Sequence, residues 1–550
     1  MRSLLCGALV LLSARAGLGD GTNGVFLKGP YLQGPGADTM TIKWEAPVNE
    51  LSFLRYGLDG KEDHELRIYA PRPLKAVVTS GVTNHLPGGE VTVTNVSQTN
   101  VVYLYEAKLG NLRPGATYTY SAETGGVRSG VRKFRTFSAE KPTATLIAYG
   151  DGRSNPKTHA AVAGNFKRYS PDAILHTGDL VGDGRRYELW GREFFGPLSK
   201  VIDEIPMLPS VGNHEQDGTN YLFYLELPGK ERWYSYDIGP VHVLALDYRL
   251  ENGNDEQFAF AQRDLLGSKA PWKVVFMHYP VFNIGGHFTR WGHNTYLPLF
   301  HQAKVDLVVV GHSHLYERFR PVAGTNGAEA WPITHITTGG GGAGLAAVLP
   351  HPALASFYST NHFVVLEATD SALKGRALTA NNELLDSFEL SKTNGQPSAD
   401  YLAQVYPEEA LKLTYEAAPS LTASLASVPQ PDTGAPTMFT LHPIKGAEQP
   451  VPLEIELTPA SAKYYKLEGG PLHVMVPGQA DPEKVVWATV WAINDGQTST
   501  ASTGIGKALP HTLVFQGRLK AGGADTISYG QRSTVTDRAA DAAKALKSGG

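Results

Sequence analysis

Five times between residues 145 and 314, a short apolar run ends in a residue able to bind a cation. The segments are LIAYGD at Asp151, AILHTGD at Asp179, MLPSVGNHE at Asn213 and His214, VVFMH at His278, and DLVVVGHSH at His312 and His314. Helix-length stretches such as HAAVAGNFKRY and DEQFAFAQRDLLGS lie between such runs. The alternation predicts an α/β domain with buried strands from Thr143 to about Leu390. In open α/β sheets, residues just beyond the carboxyl ends of strands converge on one crevice. Carboxylates, an amide and imidazoles are therefore expected at a single edge, a donor set that suits Mn, Fe or Zn and is large enough for two ions. Singly, each residue has an ordinary explanation, such as an Asp capping a turn. Jointly, with glycine ahead of four of the five motifs, chance explains them poorly, because glycine lets the backbone turn sharply and approach an ion closely.

At 550 residues the chain is too long for one ordinary domain. Ahead of the α/β segment, short alternating strands such as MTIKWEA and VVYLYEAKL are followed by NLRPGATYTYSAET, where Leu112, Pro114 and Tyr118 precede another strand. This resembles the tyrosine-corner region of fibronectin type III and other Ig-like sandwiches. The expected organisation is a sandwich over 24–138, a catalytic unit over 142–392, and a linker over 393–445. A second β-rich domain over 446–535 and a tail over 536–550 follow. At the start, Arg2, the apolar run LLCGALVLL and Ala14-Arg15-Ala16 read as an export signal over 1–20, implying a secreted or periplasmic protein. The single cysteine, Cys6, lies inside that segment, so no disulfide is expected in the mature chain. A formal net charge of −4 gives no footing for nucleic acid or an anionic membrane as the main partner, and no apolar run reaches spanning length.

The ordered set GD, GD, GNHE, H and GHSH resembles the metallophosphoesterase (calcineurin-like) superfamily. HSHLYER, THITTGGGGA and the Ig-like stretch ahead of them make the chain most similar to the purple acid phosphatases. The resemblance covers roughly Val25 to Leu390 and implies a central α/β/β/α sandwich flanked by β-sandwich-like domains. It further implies a binuclear centre. Asp151 would bind the first metal and Asp179 would bridge both. Asn213, His278 and His312 would complete the second site, with His314 returning to the first. His214 matches the histidine that contacts the phosphoryl group, and His287 a second substrate-facing histidine, although His293 lies in the same loop.

Two positions depart from the family pattern. After GD at Asp179, the family keeps a metal-binding tyrosine where this chain has Gly182, so no tyrosinate-to-iron colour is expected. Tyr187, a little further on, is read as a packing residue at a helix start. DGR after Asp151 also departs, and His159 is a candidate replacement ligand, the alternative being an ordinary first-turn helix histidine. Arg153 is expected either to hold a phosphate oxygen in its planar fork or to pair with a neighbouring carboxylate.

The resemblance implies an exported phosphatase acting on small phosphate monoesters, with metal-generated hydroxide as nucleophile and His214 or His287 as proton donor to the leaving group. A phosphodiesterase using the same metals is the first alternative. A catalytically inactive binding protein is the second.

Overall fold

The computed structural model describes residues 24–417 apart from 86–90, 254, 288, 325–329 and 349–350, and beyond 417 the backbone of strands alone. The expected export segment lies outside the described residues. At the centre are two seven-stranded mixed sheets. The first runs in the order Met207–Pro209, Ala173–His176, Thr143–Tyr149, His362–Thr369, Ala372–Thr379, Leu384–Thr393 and Gln396–Pro397. Its first three strands are parallel. The second runs Tyr234–Ile238, Val241–Ala245, Trp272–Met277, Leu307–Val310, Thr334–Thr338, Tyr316–Phe319 and Leu354–Tyr358, with four consecutive parallel strands in its middle.

Period-two alternation explains how the layers stack. In the second sheet, Val243, Val274, Phe276, Leu307 and Val309 turn inward to share a core with Leu146, Leu175 and Val364 of the first. Their neighbours Leu244, Val275, Met277, Val308 and Val310 face the opposite way, against Ala261, Leu265 and Phe300 of the helices Glu256–Gly267 and Tyr296–Gln302. Helix Pro156–Ala163 buries Val162 and Ala163 on the other face of the first sheet, the face of Tyr149, whose ring meets His159 of the helix. Both faces of both sheets are thus covered, which is why their strands read as nearly continuous apolar runs.

Register places the ligand segments together. Tyr149 pairs with His176 and His176 with Pro209, so the turns at Asp151, Asp179 and Asn213 leave one sheet side by side. Across the core, Met277 pairs with Val310, bringing His278 and His312 off the other sheet together.

Ahead of this unit, residues 28–135 form two further sheets, one of four strands and one of five. Leu32, Met40, Ile42, Trp44, Leu54, Tyr105, Tyr120 and Phe134 are buried between them. The hydroxyl of Tyr118 accepts a hydrogen bond from the Arg113 backbone N–H at 2.9 Å. Contact with the central unit runs through a buried carboxylate, Glu45, which accepts from Lys28, from the Tyr187 hydroxyl at 2.6 Å and from the Tyr224 hydroxyl at 2.9 Å. Tyr187 is therefore directed at this contact.

The linker expected from residue 393 is corrected in its first part. Leu411 is buried in the outer core, His301 Nε2 and Glu408 Oε2 approach to 2.5 Å, and the hydroxyls of Tyr401 and Thr334 lie 2.9 Å apart. A polar-looking segment packs because Tyr401, Glu408 and Leu411 each meet a buried partner. Beyond 417, eight strands from Leu421–Ser424 to Thr526–Gly530 belong to one sheet. Among the described residues no helix is long and apolar enough to cross a membrane.

One buried triad gives the central unit a pH-dependent stability. Nδ1 of His242 lies 2.8 Å from Asp237 and its Nε2 lies 2.7 Å from Asp264. Burial disfavours the imidazolium, but the two carboxylates outweigh it and push its pKa up to about 9. A raised histidine pKa contributes stability that is full below about 6.5, the unfolded value, and is lost as pH rises through the folded value. Allowing for the exposed Asp237, we expect a loss of about 2 kcal/mol over that window. Denaturant unfolding between pH 6 and 10 measures it, and His242→Gln should flatten that part of the profile.

Candidate metal centre

At the shared edge, the carboxylates of Asp151 and Asp179 and the imidazole of His278 place one donor atom each within 4.8 Å of one another, all buried. The backbone there is held in an uncommon conformation. Asp151, Asp179 and His312 have φ of 57°, 57° and 66°, the left-handed region that non-glycine residues occupy at a cost, in turns and at functional sites. Glycine explains how the turns fit. Gly178 has φ of 93°, and a Cβ on Gly212 would sit 2.3 Å from both the backbone nitrogen and Oδ1 of Asp179. A side chain at 212 would separate two ligand turns.

Three histidines present the same face. Nδ1–H of His278 donates to the Thr177 carbonyl at 2.8 Å, that of His314 to Gly344 at 2.7 Å, and that of His214 to Gly182 at 2.6 Å. A carbonyl only accepts, so each bond fixes a proton on Nδ1 and turns Nε2 toward the acids. His278 Nε2 lies 2.8 Å from Asn213 Oδ1 and 3.3 Å from Asp179 Oδ1. His314 Nε2 lies 3.4 Å from Asp151 Oδ1 and 3.2 Å from Nη2 of Arg153. Imidazole nitrogens and carboxylate oxygens gathered in one buried pocket are the donor types that fit a transition metal or zinc.

The charges around Asp179 agree. Burial alone would raise its pKa, but His278, His214 and Arg153 outweigh burial and hold it down at about 2, so it is a carboxylate at any working pH. His312, whose backbone N–H donates to Asp151 Oδ2 at 2.9 Å, has a ring held neutral at about 2, by burial first and then by His278 and His287. Neutral imidazole is the form that binds metal.

The remaining residues divide. His287 joins the cluster, its ring centred 4.9 Å from that of His312 and 5.8 Å from that of His314. Burial, followed by His314, lowers its pKa. His293 is turned away, its Nε2 directed to the Val281 carbonyl at 2.6 Å. Arg153 Nε donates to Asp179 Oδ2 at 3.0 Å, so the ion pair, one of the two roles expected for it, is formed. His159 does not join the ligand set. Nδ1 donates to the Glu193 carbonyl at 2.8 Å, and Nε2 lies 2.9 Å from the Tyr149 hydroxyl. Both nitrogens are committed because the helix starting at Pro156 carries the ring beneath the turn rather than into it.

Two features were undervalued in the sequence. Glu215 is fully buried, and its carboxylate accepts the backbone N–H groups of Gly212, Leu180 and Asp179 at 2.6, 2.8 and 3.0 Å. Its position beside His214 was the only signal. Tyr279 packs its ring 4.2 Å from that of His312, and Tyr248 stacks 4.3 Å behind it, forming an aromatic wall on one side of the centre. Adjacency to His278 was the signal for Tyr279.

Residues 153–316 match the family model of the calcineurin-like phosphoesterases. Acid phosphatase type 7 of Homo sapiens is 28% identical over 360 residues, covering 57% of this chain and 77% of the relative. Purple acid phosphatase 21 of Arabidopsis thaliana is 27% identical over 262 residues, covering 44% and 58%. Among solved structures, a purple acid phosphatase from yellow lupin (Lupinus luteus) seeds superposes with a TM-score of 0.52 at 19% identity, over 68% of this chain and 75% of the other.

Proposed function

From a chain that carries a calcineurin-like metallophosphoesterase domain and has purple acid phosphatases as relatives, we propose an exported phosphatase that hydrolyses small phosphate monoesters. The observation that carries this reading is the convergence of Asp151, Asp179 and His278, with the Nε2 atoms of His214 and His314 turned to the same acids. Asp151, Asp179, Asn213, His278, His312 and His314 would hold two ions of Fe, Zn or Mn. Bound there, such ions activate water and offset charge on the phosphoryl oxygens.

The side chains around the ligands take the other roles. His214 is part-exposed, with Nε2 3.7 Å from Asp179 Oδ2; when doubly protonated it donates to a phosphoryl oxygen or to the departing alkoxide. His287 serves as the second hydrogen-bonding group. Arg153, with Nε on Asp179, Nη1 on Ser154 and Nη2 on His314, keeps the second N–H of each Nη for a phosphoryl oxygen. The wall of Tyr279 and Tyr248 suits a planar leaving group.

The same reading takes residues 24–138 as a fibronectin III-like sandwich, 142–392 as the catalytic unit and 446–535 as a second β domain. The first 20 residues are the export signal. The Tyr118 hydroxyl bonded back to Arg113 supports the first of these assignments.

The test is hydrolysis of a chromogenic aryl phosphate and its bis-aryl diester by purified protein over a wide pH range, with metal quantified on the same sample. We expect faster monoester turnover and about two equivalents of metal. Faster diester turnover would make the diesterase the correct reading. Metal well below one equivalent, without turnover, would leave a binding protein.

A further inference from the structure

Glu193 lies in a turn of π-helix, Trp190–Phe195, a form of helix found most often at functional sites. It is 2% exposed, and a carboxylate that deep needs partners. Oε2 accepts the Gly182 backbone N–H at 2.8 Å, Oε1 accepts from Arg192 at 2.6 Å, and the backbone N–H of Ser154 is near enough to help lower the carboxyl's pKa. Ser154 lies in the turn after Asp151, and Gly182 in the turn after Asp179. The Glu193 backbone carbonyl adds a third tie through His159, whose ring lies directly under Gly152: a Cβ there would be 2.6 Å from His159 Cε1.

We propose that Glu193 is a positioning residue of the metal centre, its buried carboxylate clamping the turn after Asp151 to the turn after Asp179 and so fixing the spacing of the two acids. It acts through backbone N–H groups. Gly182 is part of the device, because a Cβ there would lie 3.3 Å from Glu193 Oε2, and a longer side chain pointing that way would contest the carboxylate's place. The proposal rests on Asp151 and Asp179 holding metal.

The experiment is titration of metal-free protein with Zn(II) against a chromogenic chelator, for wild type, Glu193→Ala, Glu193→Gln and Arg192→Ala. Thermal unfolding of each metal-free protein is followed alongside. Glu193→Ala is expected to weaken Zn(II) binding about 10- to 100-fold, as loss of a group that orients ligands does. Glu193→Gln keeps an acceptor oxygen but not the charge, and should weaken binding about fivefold while remaining folded. Arg192→Ala removes only the exposed partner and should bind as wild type does. Glu193→Gln with wild-type affinity would overturn the proposal even if Glu193→Ala fails to fold. So would Glu193→Ala that melts earlier yet binds Zn(II) as tightly. Failure of the wild type itself to bind Zn(II) would instead remove the metal-centre reading beneath it.

Discussion

Asp179→Asn is expected to lower kcat/KM for an aryl phosphate by about 10³-fold or more, the scale of losing a group that acts on transition-state charge. Asp179 is 1% exposed and is the residue on which the site's charges meet. Arg153 donates to Oδ2 at 3.0 Å, the His214 backbone N–H donates to Oδ1 at 2.9 Å, and His278 Nε2 lies 3.3 Å from Oδ1. An asparagine keeps the acceptor for His214 but sets an amide NH₂ against the Arg153 N–H, donor facing donor, and removes the negative charge. The shape is nearly unchanged, so the variant should remain folded, with bound metal reduced in parallel with activity. Aryl phosphate hydrolysis and metal analysis of one preparation decide it. Activity within tenfold of wild type would take Asp179 out of the centre.

Glu215→Ala should have the largest effect on stability. The carboxylate accepts three backbone N–H groups, and alanine leaves all three buried without an acceptor. At about 1–3 kcal/mol for each unsatisfied group, a loss of about 3–9 kcal/mol follows, a large share of a domain's total stability. Glu215→Gln separates shape from charge. Burial, and then repulsion from Asp179, pushes the Glu215 pKa up to about 8 in the metal-free protein. A protonated acid there resembles an amide, so Gln should cost far less than Ala near neutral pH. Because the folded pKa is raised, the wild type loses stability as pH climbs from the unfolded carboxylate value through about 8, while the Gln variant does not. Denaturant unfolding of the metal-free variants checks both statements, and equal losses for Ala and Gln would show that packing alone is at stake.

Both predictions depend on residues of different visibility. Asp179 stood out in the sequence because an acid after an apolar strand and a glycine recurs at Asp151. Glu215 reads in the sequence either as an acid that orients His214 or as a surface acid, since nothing local distinguishes an acid buried under three N–H groups from one on the surface. His159 shows the converse. Its spacing after Asp151 suited a ligand, but the helix it belongs to turned it toward Tyr149 and the Glu193 carbonyl.

Similar limits applied to the fold. Apolar runs of strand length alternating with helical stretches indicated buried strands, because burial on both faces leaves no polar period. That alternation carries no record of strand order, so the pairing of Thr143–Tyr149 with His362–Thr369, more than two hundred residues away in sequence, appears only in the structure. The segment from Ala399 to Ala417 read as linker because its packing depends on His301 and Thr334, partners no local pattern reveals.

The sequence by itself determined the α/β class and the donor types of the centre, since both follow from local rules: burial periodicity and the chemistry of Asp, Asn and His. Tertiary structure alone decided that His278, His314 and His214 each carry a proton on Nδ1. It also made Glu215 and Glu193 clamps and excluded His159. Those outcomes depend on which distant backbone N–H or carbonyl comes within hydrogen-bonding distance, and that distance is set by how two sheets pack rather than by any stretch of chain.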